Sequence, residues 1–155
     1  MLNYTPPRNL RALFIAHYAP LLLIIMIGPM TAMFGVFEIP FNKIFTIILG
    51  VIIFLFGSFI YFKWEIFWYK EYKGQLVTNG IFKLVRHPHY TSILIVGCGL
   101  ALFFYSTLAL IISLFAFPLM VWSIIDEEKL LIKKYGDDYK KFMHEVPHRI
   151  IPKIF

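Results

Sequence analysis

Cysteine occurs once in this chain of 155 residues, at position 98, so no internal disulfide can staple the fold. Charge is also scarce. Asp, Glu, Lys and Arg make up 15% of the residues, with nine acidic against fifteen basic. Hydrophobic residues take 59% and aromatics 19%, which is too oily for a soluble domain, whose apolar share is nearer half. There is no internal repeat and no low-complexity linker, and the length allows a single domain, 1–155. The net charge of +6 invites a nucleic-acid partner. The basic residues flank apolar runs and form no soluble basic face, so nucleic acid is excluded.

What is present instead is four apolar stretches, at about 13–37, 44–62, 90–105 and 107–125. At about 1.5 Å per residue, 19 residues of helix cover a hydrocarbon core of about 30 Å. The expected fold class is therefore an all-α integral membrane protein of about four transmembrane helices. The first stretch is too long for a signal-peptide core and lacks a small-residue cleavage site, so it reads as retained. The third is short and predicts a hairpin with the fourth through Tyr105, Ser106 and Thr107, with Ser106 as the cap. Fourteen of the fifteen basic residues, Arg8 and Arg11 among them, fall on one side, against Lys43 alone on the other. The positive-inside rule then places both termini and the central loop in the cytoplasm.

The polar sequence is concentrated in two pieces, 63–89 and 126–155. In the first, WEIFWYKEYK (64–73) reads as an interfacial anchor, and VTNG (77–80) as a turn in which Asn79 and Gly80 can take positive φ. LVRHPHY (84–90) then packs Arg86, His87 and His89 around Pro88. Pro88 suits the first turn of a helix and His87 lies near its cap, so the helix end offers N–H groups to an anion such as a carboxylate. The bland alternative is that these side chains snorkel to the headgroups. A metal site on His87 and His89 lacks a third ligand. In the second piece, Asp126, Glu127 and Glu128 follow the last span without a break, and carboxylates at a membrane boundary are costly unless paired or functional. Arg86 offers the opposite charge across the cytoplasmic mouth, which makes Arg86 and Glu128 the candidate catalytic pair. Gly136 reads as a helix C-cap and Asp137 as the cap of a new helix. Along that helix Tyr139, Phe142, Met143 and Val146 form an amphipathic stripe ended by Pro147.

LVTNGIFKLVRHPHY, DEEKLLIKKYGDDYKKF and VPHRIIP, in that order from Leu76 to Pro152, resemble the isoprenylcysteine carboxyl methyltransferases and their phospholipid-methyltransferase relatives. The resemblance implies a membrane enzyme that uses S-adenosylmethionine to methylate a lipophilic small molecule or lipid-modified substrate. It implies a cofactor site lined by Leu76, Val77, Phe82, His87, Pro88, His89, Tyr90 and Glu127. Of the two carboxylates it points to Glu127 for the cofactor ammonium, with Glu128 turned toward Arg86. Two positions depart from the prenylcysteine enzymes: Phe82 stands where they usually have Tyr, and Ser123, the candidate substrate residue, stands where they carry an Arg. A neutral Ser cannot hold a carboxylate as an Arg fork does, so the acceptor stays open between a carboxylate and an amine headgroup. Membrane sterol reductases, which use a nicotinamide cofactor, also resemble this half of the chain, and a non-enzymatic membrane subunit is the third reading.

Overall fold

The computed structural model describes residues 10–154, with side chains from residue 18. Arg8 and the side chain of Arg11, both counted in the charge pattern, lie outside the described residues. Among the described residues five α-helices follow one another: α1 (Leu10–Phe34), α2 (Lys43–Lys70), α3 (Pro88–Phe103), α4 (Thr107–Tyr135) and α5 (Asp137–Glu145), with a 3₁₀ turn at Gly80–Lys83. Helices α2 and α4 are long and apolar enough to cross a membrane, while Tyr18–Phe34 and α3 are shorter apolar helices. On α2 a band of large side chains, including Ile52, Leu55, Phe56 and Phe59, faces outward. A patch of that extent is what lipid solvates and water does not.

The helix ends explain the departures from the expected spans. The first stretch stops at Phe34, because Gly35 and Phe37 turn the chain with positive φ. The third begins two residues early, at Pro88, and ends at Phe103 ahead of Tyr105, whose φ is 55°. Ser106 caps α4 as expected, accepting from Ala109 N at 3.2 Å, and shares a buried hydrogen bond with Thr31 at 2.8 Å. The second and fourth stretches run on into the polar pieces, to Lys70 and Tyr135, because no breaker interrupts them. In the VTNG turn only Gly80 takes positive φ, and Asn79 stays extended. Asp137 is not a cap. Gly136, with φ 58° and ψ −128°, takes that position and leaves Asp137 as the first helical residue.

Helix α2 lies along α3 in the most extensive helix–helix interface of the fold. Glycines make it close. A Cβ at Gly50 would land on the backbone N of Phe103, one at Gly99 on the backbone N of Phe54, and one at Gly57 2.9 Å from Val96 N. Backbone cannot swing aside as a side chain can, so Gly99→Ala should part the two helices. The expected cost is about 1–3 kcal/mol, as for other overpacking changes. Thermal unfolding in detergent checks it, with Gly74→Ala as a comparison where the space is open but φ is positive.

The interior holds three apolar clusters. One lies within the helical bundle, and another joins α3 and α4 to Ile150 and Ile151 of the C-terminal segment. The third joins Tyr139, Phe142 and Val146 of the α5 stripe to Leu76, Phe82, Leu131, Ile132, Tyr135 and Met143. The amphipathic stripe thus packs back on the end of the bundle, and in doing so floors a cavity.

Candidate functional site

That cavity has a volume of about 660 Å³. Its walls come from the end of α2 and the following loop (Trp68, Tyr72, Leu76, Val77), the 3₁₀ turn (Phe82) and the approach to α3 (Arg86, His87). The C-terminal turns of α4 (Glu127, Leu131, Lys134, Tyr135) and the inner face of α5 (Tyr139, Phe142) complete them. Of the residues expected at a cofactor site, Leu76, Val77, Phe82, His87 and Glu127 line this one cavity, and Pro88, His89 and Tyr90 do not.

The reason is the geometry of the α3 start. His87 is the N-cap and Pro88 the first helical residue, as expected. Successive side chains there point about 100° apart, so they cannot share one wall. His89 turns to α2 and packs on Trp64 and Tyr61, with ring centroids 4.2 Å and 5.5 Å away. Pro88 is buried. The backbone N–H groups of Arg86 and His87 donate to the carbonyls of His148 and Arg149, both at 2.9 Å, so the C-terminal segment already satisfies them.

Beneath the cavity floor sits Glu128, 4% exposed. Its Oε1 accepts from Arg86 Nε at 3.0 Å and Nη2 at 2.7 Å, and its Oε2 accepts from Arg149 Nε at 3.0 Å. Arg149 Nη2 is 3.0 Å from the same oxygen. His87 Nε2 comes within 3.4 Å of Oε1, and Arg86 Nη1 donates to the carbonyl of Val146 at 2.7 Å. Both carboxylate oxygens are therefore occupied by protein donors. The expected ion pair with Arg86 is present, within a larger node that Arg149 completes. Sequence reading missed Arg149, which stood only as one basic residue among several beyond the last span. The VPHRIIP segment was the signal that could have raised it.

Glu127, one residue earlier, points elsewhere. Its side chain is 33% exposed and borders the cavity. Tyr90 Oη donates to its Oε2 at 3.0 Å, and His87 Nδ1 lies 3.7 Å from the same atom. A phenol has one hydrogen. Since Tyr90 gives its own to Glu127, the 3.2 Å contact between Tyr90 Oη and Ser123 Oγ must have Ser123 as donor. Ser123 thus shares a face of α4 with Glu127, one turn before it, and is linked to it through Tyr90 while lying outside the cavity lining.

Tyr139, 1% exposed, closes the floor. Burial pushes its phenol up, and the Glu128 carboxylate adds to that, so it stays protonated. Its hydroxyl, close to Arg86, makes no hydrogen bond of good geometry among the described residues. No group of three or more His, Cys, Asp or Glu among the described residues could hold a metal ion.

The cavity thus joins a polar floor to an apolar and aromatic wall, at the ends of two helices long and apolar enough to cross a membrane. Comparison with known proteins accords with that. The chain is 34% identical over 80 residues to the protein-S-isoprenylcysteine O-methyltransferase of Schizosaccharomyces pombe, a match covering 48% of this chain and 32% of that one. It is 31% identical over 87 residues to a Delta(14)-sterol reductase of Mus musculus, covering 52% of this chain and 20% of the reductase. It spans well under half the length of either relative. The model of the phospholipid methyltransferase family matches residues 45–138, from the first turn of α2 to the start of α5. That range holds every cavity-lining residue named above except Tyr139 and Phe142. A match over more than half its length settles the family: the chain is a membrane protein that belongs to the phospholipid methyltransferase family.

Proposed function

We propose that this protein transfers a methyl group from S-adenosylmethionine to a lipophilic acceptor at the cytoplasmic membrane face. The observation that carries the reading is Glu127. It is a carboxylate on the cavity wall with room for a ligand cation, while its neighbour Glu128 is fully engaged by arginines. The cavity volume lies within the range of about 300–1,000 Å³ usual for small-molecule sites.

The donor set fits the cofactor. Glu127 suits an ammonium, and the buried Tyr139 hydroxyl and the unused guanidinium N–H groups of Arg86 suit a carboxylate. Leu76, Val77 and Phe82 supply apolar surface, and Trp68 flat aromatic surface. When bound, S-adenosylmethionine supplies an electrophilic methyl group on a sulfonium. The protein's part is then to orient the two reactants and keep water out, which lowers the entropic barrier to displacement. Glu127 is held in place by Tyr90 for that purpose, and Glu128 fixes Arg86 and His87.

The membrane arrangement proposed is four spans with both termini cytoplasmic, α1 and α3 crossing beside α2 and α4. A reporter fused after Phe155 should be active in the cytoplasm, and activity only on the opposite side would refute the orientation. The reaction itself is tested with labelled S-adenosylmethionine and extracted membrane lipids, followed by mass spectrometry of whatever becomes labelled. Label in a lipid or a lipid-modified thiol is expected. The similarity to a sterol reductase supports a second reading, in which the cavity takes a nicotinamide cofactor. Binding of NADPH without binding of S-adenosylhomocysteine would favour it.

A further inference from the structure

The two principal walls of the cavity belong to helices whose main packing partners lie elsewhere in the bundle. Helix α2 lies against α3, whereas α4 lies against α1, α3 and α5. A chain of hydrogen bonds nevertheless crosses from one wall to the other. Tyr135, the last residue of α4, donates its hydroxyl hydrogen to the carbonyl of Gly74 at 2.8 Å. Having one hydrogen, it can only accept in the 3.1 Å contact with Tyr72, so Tyr72 is the donor there. Lys134 Nζ donates in turn to Tyr72 Oη at 3.4 Å and lies over both tyrosine rings. The direction of the chain is thereby fixed: Lys134 to Tyr72, Tyr72 to Tyr135, Tyr135 to Gly74.

The far end of that chain is a loop with a positive-φ glycine inside it and another just after it. Residues 71–79 leave α2 and carry Leu76 and Val77 onto the cavity wall. Gly74 sits at φ +92° and Gly80 at φ +63°, both with open space where a side chain would be. Burial and the bond to Tyr135 hold the Tyr72 phenol above its usual range, so it remains a donor across the neutral range. Neither tyrosine is among the residues that the family resemblance assigns to the cofactor.

We infer that Tyr72 and Tyr135 form a latch that holds the 71–79 loop over the cavity, and that ligand enters and leaves when this latch opens. The two tyrosines are positioning residues, acting through the loop that bears Leu76 and Val77. The identity of the ligand rests on the cofactor reading above, but the latch does not.

The test uses the full chain in detergent or nanodiscs and has two arms. In the first, hydrogen–deuterium exchange of the ligand-free protein compares wild type with Tyr135→Phe, which removes two hydrogen bonds and keeps the ring. Amides of residues 74–79 should exchange about tenfold faster, the change expected for two neutral hydrogen bonds, while the α2–α3 seam stays as it was. Unchanged exchange in that segment would overturn the latch. Tyr72→Phe breaks the chain one link earlier and should give the same pattern more weakly, because the Tyr135–Gly74 bond survives.

In the second arm, stopped-flow tryptophan fluorescence follows S-adenosylhomocysteine. A latch predicts that association and dissociation both quicken by a similar factor, with Kd changed by no more than about twofold. A rise in dissociation alone, with weaker Kd, would make Tyr135 a ligand contact and refute the inference. No binding to wild type would count against the cofactor reading and leave the exchange arm to decide the latch.

Discussion

Glu128→Gln should cost about 3–5 kcal/mol of stability, the usual penalty for breaking a buried ion pair from one side. The carboxylate is the shared acceptor for Arg86 and Arg149, and Arg86 is 3% exposed. A glutamine keeps the size but removes the negative charge, leaving two guanidiniums facing each other with no counter-ion. Its amide NH₂ is also a donor, so one of its two ends would meet another donor. Against a typical total of about 5–15 kcal/mol, such a loss is large enough to show as poor expression as well as a lowered melting temperature. Arg86→Ala should approach it, because it strands Glu128 in the interior. Arg149→Ala should cost less, because the Arg149 side chain is 30% exposed and water can take over part of its role. Thermal unfolding of the three variants in the same detergent gives the order. Wild-type stability in Glu128→Gln would show that the node holds nothing together.

Glu127→Gln should do the opposite, sparing stability and weakening S-adenosylhomocysteine by about 1.5–3 kcal/mol, or roughly 10- to 150-fold. The substitution keeps a carbonyl oxygen for the Tyr90 hydroxyl, so the internal contact survives. What disappears is the charge that faces the cavity. Isothermal calorimetry measures the affinity, and an unfolding curve on the same sample measures the stability. If Glu128→Gln lost more affinity than Glu127→Gln at equal folded fraction, the cofactor would lie on the other face of α4.

That these two glutamates face apart was legible from the sequence, because adjacent residues on a helix point about 100° apart, while the family resemblance indicated which of them turns to Arg86. The helices were legible for a similar reason: long apolar runs, Ser106 before α4, Gly136 after it and the α5 stripe are all local signals. Their ends were less so. Nothing in residues 63–70 or 126–135 breaks a helix, so α2 and α4 run past the apolar runs by which the spans were bounded. The direction of His89 was not legible either, since it depends on Trp64 and Tyr61 being presented by α2, which only tertiary packing decides. The same holds for Arg149 and for the pairing of Tyr72 with Tyr135, 63 residues apart. Aromatic residues where a helix leaves the membrane are common enough that WEIFWYKEYK read as an anchor. The role of Tyr72 comes instead from what α4 places opposite it.

The bond from Arg86 Nη1 to the carbonyl of Val146 also has a consequence for synthesis. Val146 follows Arg86 by 60 residues, and His148 and Arg149, whose carbonyls accept from the Arg86 and His87 backbone, follow it later still. At about 5–20 residues per second, a ribosome adds that length in several seconds. Once α3 has been added, early in that interval, α2 and α3 can pair along their glycine seam, while Arg86 waits first for Glu128 and then for the C-terminal segment. The apolar framework therefore precedes the polar floor in time. An assembly factor or a nascent-chain probe arriving in those seconds would meet a helical bundle with its cavity still unfloored.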